Sequence, residues 1–159
     1  VIASPEVARN SAKSPVWIIG TGEATKYREN NGDITVSAGG QSGPRAFADA
    51  GGSPSEIDVL MAYDSFSITV MCLIEDLGFC AKGEGGPFVE SGAIGPGGTV
   101  AVGTHGGLLS EGYIHGFNNV AEAVGQLRGE AGPRQVEGAE IALCSGFGGN
   151  VGSALLLRK

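Results

Sequence analysis

The sequence predicts an α/β domain whose sheet is covered by helices. Two observations predict it: five short apolar runs resemble buried strands, and two longer segments carry apolar residues at helical spacing. Strands and helices alternate along much of the chain, an order typical of an α/β layer. With 159 residues, no internal repeat and no linker segment, the chain is expected to form one domain.

The first half of the chain contains two predicted strands, over residues 16–20 and 57–63. Between them a short helix is expected over residues 44–51, with Pro near its start and Gly at its end. Asp64 or Ser65 can cap the next helix at its N-terminus. The apolar stripe of that helix consists of Phe66, Val70, Leu73, Ile74 and Leu77.

The connections and the second half follow the same logic. Residues 24–40 are polar, with a turn signal at Asn31 and Gly32, and residues 81–98 predict a long Gly/Pro loop. Three further strands are expected at residues 99–102, 141–144 and 153–157, the last two forming a hairpin around a glycine-rich turn. A helix over residues 116–128 is expected to bury an apolar face made of Phe117, Val120, Ala121, Val124 and Leu127.

Charge and composition argue against several classes of protein. Ten basic residues face seventeen acidic ones, so the net charge is −7, and the absence of a basic patch argues against nucleic acid or an anionic membrane as partner. No apolar run reaches the roughly 18 residues of a membrane span, and no signal peptide is visible. Three cysteines without a CxxC pair fit a reduced, cytoplasmic protein. With two histidines no zinc motif can be written, and no phosphate-binding glycine motif occurs.

Three segments place a reactive side chain after a predicted strand or within glycines. Tyr63 ends the second strand, at the sheet edge where α/β proteins tend to bind ligands. Tyr113 and His115 lie in a glycine-rich segment just before a helix N-terminus. Cys144 leaves a strand into glycines, where a thiol can be exposed and reactive. The simpler alternatives are a surface aromatic, an ordinary helix entry and a small buried apolar residue.

Together and in this order, the three segments resemble the C-terminal half of a thiolase. That half carries an Asn/His-Glu/Asp-x-Phe motif, a GHPxGxxG loop and a CxG motif before its last strand. These correspond here to YDSF at residues 63–66, GYIHG at residues 112–116 and CSG at residues 144–146. The resemblance covers nearly all of residues 16–159. It implies a thiolase-like half with a mixed five-stranded sheet covered by helices.

The departures from the thiolase motifs point to a different reaction. Tyr113 stands where the loop normally supplies a catalytic His, and Ile114 replaces the Pro after it. Tyr63 stands where thiolases have Asn or His, and the Asn that opens the glycine loop is replaced near Gly103. Cys144 keeps the thiolase residue type. The nucleophilic Cys of a thiolase lies in the N-terminal half, which this sequence does not contain.

This pattern is similar to the lipid-transfer-protein branch related to sterol carrier protein X thiolase, and within it to steroid side-chain-cleaving aldolases of actinobacteria. The resemblance implies retro-aldol cleavage of a β-hydroxyacyl-CoA, with no cofactor beyond the CoA thioester substrate. It implies a partner protein with an OB-fold and a zinc ribbon, and a homodimer. It also implies that residues 1–159 are a fragment of a longer chain, inactive without the N-terminal thiolase half.

The resemblance assigns the acid and base roles to Tyr63 and Tyr113, without deciding which residue has which role. Because tyrosine has an ordinary pKa of about 10, a tyrosine base needs a shifted pKa or a relay. Asp64, His115 or Cys144 could supply part of that relay. Residues of the matched motifs are also expected to contact the substrate, namely Phe66, Gly106, Gly107, Gly112 and Gly146.

Two alternatives remain open. A degenerate thiolase or acetyl-CoA acetyltransferase would use Cys144, and it should not tolerate Tyr113. A non-catalytic lipid-transfer or acyl-CoA-binding module would keep its ligand after both Tyr63→Phe and Tyr113→Phe, and would have no turnover to lose.

Overall fold

The computed structural model describes residues 1–25, 32–148 and 150–159. Within them the strands are β1 (Trp17–Thr25), β2 (Val59–Ala62), β3 (Ala101–Val102), β4 (Ile141–Gly148) and β5 (Val151–Arg158). The α-helices are α1 (Pro5–Arg9), α2 (Gly39–Ala50), α3 (Ser67–Asp76), α4 (Gly85–Glu90), α5 (Leu108–Glu111) and α6 (Phe117–Arg128). Single 3-10 turns occur at Pro54–Glu56 and Gly132–Arg134.

The strands form one sheet in the order β1-β5-β4-β2-β3. β2 runs parallel to both β3 and β4, whereas β5 runs antiparallel to both β1 and β4. The predicted α/β fold with a mixed five-stranded sheet is therefore confirmed. The predicted closing hairpin is also confirmed as β4 and β5, although Gly149 of its turn lies outside the described residues.

Two apolar clusters pack on opposite faces of the sheet, because consecutive residues of a strand point to opposite sides. Leu60 and Leu143 belong to the cluster that α2 and α3 cover. Met61 and Cys144 belong to the cluster that α6 covers. Both faces of the central strands are thus covered by apolar side chains. Polar functional groups are therefore expected at the ends of the strands.

The helix predicted over residues 44–51 is longer than expected. It begins at Gly39, five residues earlier, and contains Pro44 in its interior. A Cβ added at Gly22 of β1 would overlap the carbonyl oxygen of Ser42, so the glycine lets β1 and α2 approach closely. This contact lies in the part of α2 that the sequence did not predict, whereas the end of the helix at a left-handed Gly51 follows the prediction.

The loop predicted over residues 81–98 contains the short helix α4. The backbone N–H of Gly85 donates a hydrogen bond to Glu75 Oε1 at 2.9 Å, which attaches the start of α4 to α3. The prediction of a loop without helix was wrong because this carboxylate comes from another segment. The earlier turn signal is only partly visible: Gly32 has a positive φ of 75°, and Asn31 lies outside the described residues.

Helix α6 buries part of the face that its apolar pattern predicts, and a polar face as well. Leu127 is buried, and Val120 and Val124 pack against the cluster beneath the helix. Phe117 is 71% exposed. The buried residues of the helix are mostly polar, namely Asn118, Asn119, Glu122, Ala123, Gln126 and Leu127. The prediction was wrong for Phe117 and Ala121, which are exposed. It also missed the polar face, which can be buried at little cost because side chains from neighbouring segments provide hydrogen bonds to it.

None of the helices in the described part of the chain combines the length and the apolarity that a membrane-spanning helix requires.

The close approach of β1 and α2 makes a testable prediction. In Gly22→Ala the new methyl group would overlap Ser42 O, so we expect the free energy of unfolding to fall by about 1–3 kcal/mol. Urea unfolding followed by circular dichroism measures it. Gly125→Ala is the matched control, because its Cβ meets no described atom within 4 Å in the middle of α6. That variant should be about as stable as the parent or slightly more so. Equal losses in both variants would contradict the packing argument.

Candidate active site

The two candidate tyrosines come together at the C-terminal end of β2. Tyr63 directly follows this strand, is 8% exposed, and donates its backbone N–H to Ser145 O of β4 at 3.0 Å. Tyr113 lies in the connection between α5 and α6, and its side chain is 70% exposed. The Tyr63 side chain is therefore held by the core, whereas the Tyr113 side chain is largely exposed to solvent.

The environment of Tyr63 favours its protonated form. Hydrogen bonding with the Tyr113 side chain raises the pKa of Tyr63, and burial and the negative charge of the neighbouring Asp64 carboxylate raise it further. Tyr63 is thus a neutral phenol that can donate a hydrogen bond or a proton.

Glycines allow the loop over residues 106–116 to lie directly against the Tyr63 segment. A Cβ at Gly116, where φ is 79°, would be 3.1 Å from Cδ2 of the Tyr63 ring. A Cβ at Gly107, where φ is 78°, would overlap Asp64 Oδ2. At these two positions both the backbone angle and the space require glycine.

Asp64 attaches the glycine-rich loop to the end of β2. Its Oδ2 and Oδ1 lie 3.0 and 3.3 Å from the backbone N–H of Leu108, which donates at the start of α5. The prediction that Asp64 or Ser65 caps α3 was wrong, because Phe66 is the N-cap residue and makes no capping hydrogen bond through its side chain. Asp64 instead accepts from an amide that is distant in sequence.

His115 adopts an unusual backbone angle beside Tyr113. Its φ of 50° makes it the non-glycine residue with positive φ in the described chain. Such a conformation is uncommon and often occurs at functional sites. The centroids of the His115 and Tyr113 rings are 4.6 Å apart and the rings are tilted by 53°. The structure therefore brings this predicted relay residue next to Tyr113, although its part in a relay stays a prediction.

Cys144 is placed in the core rather than at an open edge. It is 6% exposed and belongs to the cluster beneath α6. Its thiol donates to the backbone carbonyl of Asn119, with an Sγ–O distance of 3.7 Å. Burial raises the pKa of the Cys144 thiol to about 12, so the thiol is neutral at physiological pH. The geometry agrees with the simpler alternative of a buried apolar residue, and a catalytic role for Cys144 stays a prediction.

The predicted substrate-contacting residues lie in three parts of this region. Phe66 is 72% exposed at the start of α3, and so does not join the buried stripe that the sequence predicts. Leu73, Ile74 and Leu77 of that stripe are buried, as predicted. Gly106, Gly107 and Gly112 belong to the loop, whereas Gly146 pairs with Ser153 inside the β4–β5 hairpin. Contact with a substrate stays a prediction for all of them.

A buried carboxylate anchors α6 to two other segments, and the sequence analysis missed it. Glu122 accepts from Thr104 Oγ1 at 2.8 Å, from Gln126 Nε2 at 3.0 Å and from Arg134 Nη2 at 2.8 Å. Burial by itself would raise the pKa of Glu122, but the hydrogen bonds from Arg134, Thr104 and Gln126 outweigh it and hold the pKa below its ordinary value. The sequence contains no usable signal for this role, because a Glu on the helix face opposite the apolar residues normally indicates an exposed side chain.

The lowered pKa of Glu122 predicts a pH-dependent contribution to stability. Because the charged form is favoured in the folded state, its contribution is fully present above the unfolded pKa and is lost as the pH falls through the folded pKa. We expect Glu122→Gln to be less stable than the parent at pH 7, with the difference shrinking below a pH of about 4.5. Urea unfolding at a series of pH values tests this. Glu137→Gln, at an exposed position, is the matched control and should change the free energy of unfolding at pH 7 by less than about 0.5 kcal/mol. A gap between Glu122→Gln and the parent that widens in acid would refute the assignment.

The comparisons with known proteins agree with the fold and the motif order. Residues 20–157 match the family described as "Thiolase C-terminal domain-like", and this chain belongs to that family. The acetyl-CoA acetyltransferase of Methanothermobacter thermautotrophicus is 38% identical, over 97% of this chain and 42% of the relative. The steroid side-chain-cleaving aldolase of Thermomonospora curvata is 34% identical, over 93% of this chain and 40% of the relative.

A solved structure described as "Ltp2-ChsH2(DUF35) aldolase" has a TM-score of 0.91 and 34% identity, covering 97% of this chain and 42% of that chain. The predicted resemblance to the thiolase superfamily and its aldolase branch is therefore confirmed. This chain spans about two fifths of the length of these relatives.

Proposed function

We propose that this chain supplies the acid and base of a carbon–carbon lyase that cleaves a β-hydroxyacyl-CoA by a retro-aldol reaction. The observation that carries the proposal is the packing of the Tyr113 loop against Tyr63 at the end of β2, where a Cβ at Gly116 would be 3.1 Å from the Tyr63 ring. Tyr113 in this loop stands at the position of the thiolase loop histidine. The similarity to a steroid side-chain-cleaving aldolase supports the same type of reaction. It also makes a steroid side chain the first acyl group to test.

The retro-aldol step needs one base and one acid. The base takes the proton of the β-hydroxyl group while the bond between the α and β carbons breaks, and the β carbon leaves as a ketone. The electron pair of that bond forms a thioester enolate, which takes a proton at the α carbon and becomes a shorter acyl-CoA. Tyr63 suits the donor role because its raised pKa keeps the phenol protonated at neutral pH, with a hydrogen available to the enolate oxygen. Tyr113 is the more exposed of the two and is available to the hydroxyl of the substrate.

The state of Cys144 supports a lyase over the thiolase alternative. A thiolase needs cysteines that attack and relay protons, whereas a retro-aldol step requires no covalent intermediate. With a pKa of about 12, the Cys144 thiol has very little thiolate at neutral pH. The similarity to an acetyl-CoA acetyltransferase keeps the thiolase alternative testable.

We further propose that the active protein combines this domain with an N-terminal thiolase half, a second copy in a homodimer, and a partner protein with an OB-fold and zinc ribbon. The similarity to an aldolase whose description pairs Ltp2 with ChsH2(DUF35) supports the partner. The substrate is an acyl-CoA, and no further cofactor is proposed.

The test uses the full-length protein with its partner and two substrates, a tertiary β-hydroxyacyl-CoA and a β-ketoacyl-CoA. Each is incubated with and without free CoA, and the products are identified by mass spectrometry. Cleavage of the hydroxy substrate without free CoA is the expected result. Cleavage of only the keto substrate, and only with free CoA, would establish the thiolase alternative instead. Tight binding of acyl-CoA without any cleavage would establish the carrier module.

A further inference from the structure

A second histidine, His105, is buried beneath the loop that carries Tyr113. It is 7% exposed, and its Nδ1 accepts the backbone N–H of Gly107 at 3.1 Å. A backbone N–H can only donate, so Nδ1 carries no proton. In the neutral ring the proton is then on Nε2, which donates to Asn119 Oδ1 at 3.0 Å. The two contacts together define one tautomer of His105.

Asn118 provides a second acceptor for the same ring proton. Its side chain is 5% exposed and its Nδ2 lies 3.3 Å from His105 Nε2, whereas its Oδ1 has no hydrogen-bond partner among the described residues. Because Nε2 is a donor, the amide turned by 180° presents Oδ1 to it as a second acceptor for the same proton. The imidazole is therefore held at both ring nitrogens, at Nδ1 by the loop and at Nε2 by α6.

Asn119 connects this histidine to the strand that carries Tyr63. Its Nδ2 donates to Met61 O at 3.4 Å, and Met61 lies on β2, two residues before Tyr63. Its backbone N–H donates to Gly116 O at 3.1 Å, at the far end of the loop. Through Asn119 and His105, both ends of the loop are thus bonded to a unit that includes β2.

The loop needs such external support because its own backbone has little preference for one conformation. Four glycines with positive φ occur in residues 106–116, namely Gly106, Gly107, Gly112 and Gly116. Glycine loses more conformational freedom than any other residue when it is fixed. Tyr113 is 70% exposed, so burial does not hold it in place.

We propose that His105 and Asn119 form a clamp that positions the Tyr113 loop relative to Tyr63. His105 is a positioning residue, since it acts through the Gly107 amide and is buried away from the surface on which Tyr113 lies. The consequence for catalysis depends on the proposed lyase function, whereas the consequence for the loop does not. The predicted clamp couples two segments that the chain separates by 50 residues, from Tyr63 to Tyr113.

Two substitutions at His105 test its two contacts separately, the one with the Gly107 amide and the one with Asn119. His105→Asn places a carboxamide oxygen near the position of Nδ1, so it can still accept from Gly107. His105→Gln reaches farther, so it can bond Asn119 but leaves the Gly107 amide unpaired. Thr104→Val is the matched control on the same segment, because the Thr104 hydroxyl donates to Glu122 rather than to the loop. Thermal melting of each variant verifies that it folds.

Hydrogen exchange followed by mass spectrometry on the full-length protein with its partner measures the loop without relying on activity. We expect His105→Gln to raise the exchange rate of the Gly107 amide by about 10-fold or more, and His105→Asn and Thr104→Val to leave it close to the parent. In kinetics with the β-hydroxyacyl-CoA, His105→Gln should lower kcat by about 10-fold to 100-fold with KM changed by less than about 3-fold. His105→Asn should recover most of that kcat.

The outcomes distinguish failure of the clamp from failure of the proposed function. Unchanged exchange at Gly107 in His105→Gln would overturn the clamp, even if the enzyme is a lyase. Faster exchange with an unchanged kcat would also overturn it, because the loop would then not position Tyr113. If the parent protein cleaves no substrate, the lyase proposal fails. The exchange rates, together with the ¹⁹F resonance of 3-fluorotyrosine at position 113, still decide the clamp. A resonance identical in His105→Gln and the parent would overturn it.

Discussion

Replacing Tyr113 by phenylalanine is expected to lower kcat for cleavage of the β-hydroxyacyl-CoA by about 100-fold to 10,000-fold, the usual range for loss of a general acid or base. The ring would keep its contact with His115, at a centroid distance of 4.6 Å, while the hydroxyl group is lost. Steady-state kinetics of the full-length protein with its partner measures the effect. Ser110→Ala is the matched control, since it removes a hydroxyl from the same loop and should change kcat by less than about 3-fold.

The double variant Tyr63→Phe/Tyr113→Phe makes the same prediction sharper. If the two phenols act as one acid–base pair, the double variant should be little slower than the slower single variant, because residues that act together are strongly non-additive. Additive losses in kcat would mean that the tyrosines act independently. An unchanged kcat in Tyr113→Phe would contradict the proposed mechanism outright.

The second large effect is expected for Gly107→Ala. A methyl group there would overlap Asp64 Oδ2, and φ is 78°, so either the loop or the carboxylate must move. We expect the hydrogen bond from Leu108 to Asp64 to be lost, the free energy of unfolding to fall by about 1–3 kcal/mol, and kcat to fall by about 100-fold. Urea unfolding and steady-state kinetics measure the two effects separately.

Gly138→Ala separates backbone strain from displacement of the loop. Its φ is 75°, close to that of Gly107, but its Cβ meets no described atom within 4 Å. It should therefore show a strain cost of about 1 kcal/mol and a kcat within about 3-fold of the parent. If the two alanine variants behave alike, the contact between Gly107 and Asp64 has no special role.

The local patterns of the sequence predict the sheet and the family. Apolar runs at residues 57–63, 141–144 and 153–157 become β2, β4 and β5, because β-branched and leucine-rich runs of this length bury best as strands. The order of YDSF, GYIHG and CSG is enough to predict the thiolase C-terminal fold, since each motif is a local property of the chain. Tyr63 and Tyr113 follow from the same motifs.

Features that depend on contacts between distant segments could not be predicted in this way. Helix α2 packs closely on β1 because Gly20 and Gly22 leave room for its backbone, and α4 forms where Glu75 accepts the N–H of Gly85. The polar face of α6 is buried because partners such as Arg134 lie beyond the end of the helix. Periodicity alone favours the apolar face, of which only a part is buried.

The sequence by itself therefore determined the class of fold and the family, and it singled out the two tyrosines as candidates, because each of these depends on residue types within short segments. Only the tertiary structure decided what surrounds them. It places Cys144 in the core, directs Asp64 to the Leu108 amide, and inserts His105 between Gly107 and Asn119. The physical reason is that burial and hydrogen-bond partners, which set the protonation and the position of a side chain, are supplied by residues far away in the chain.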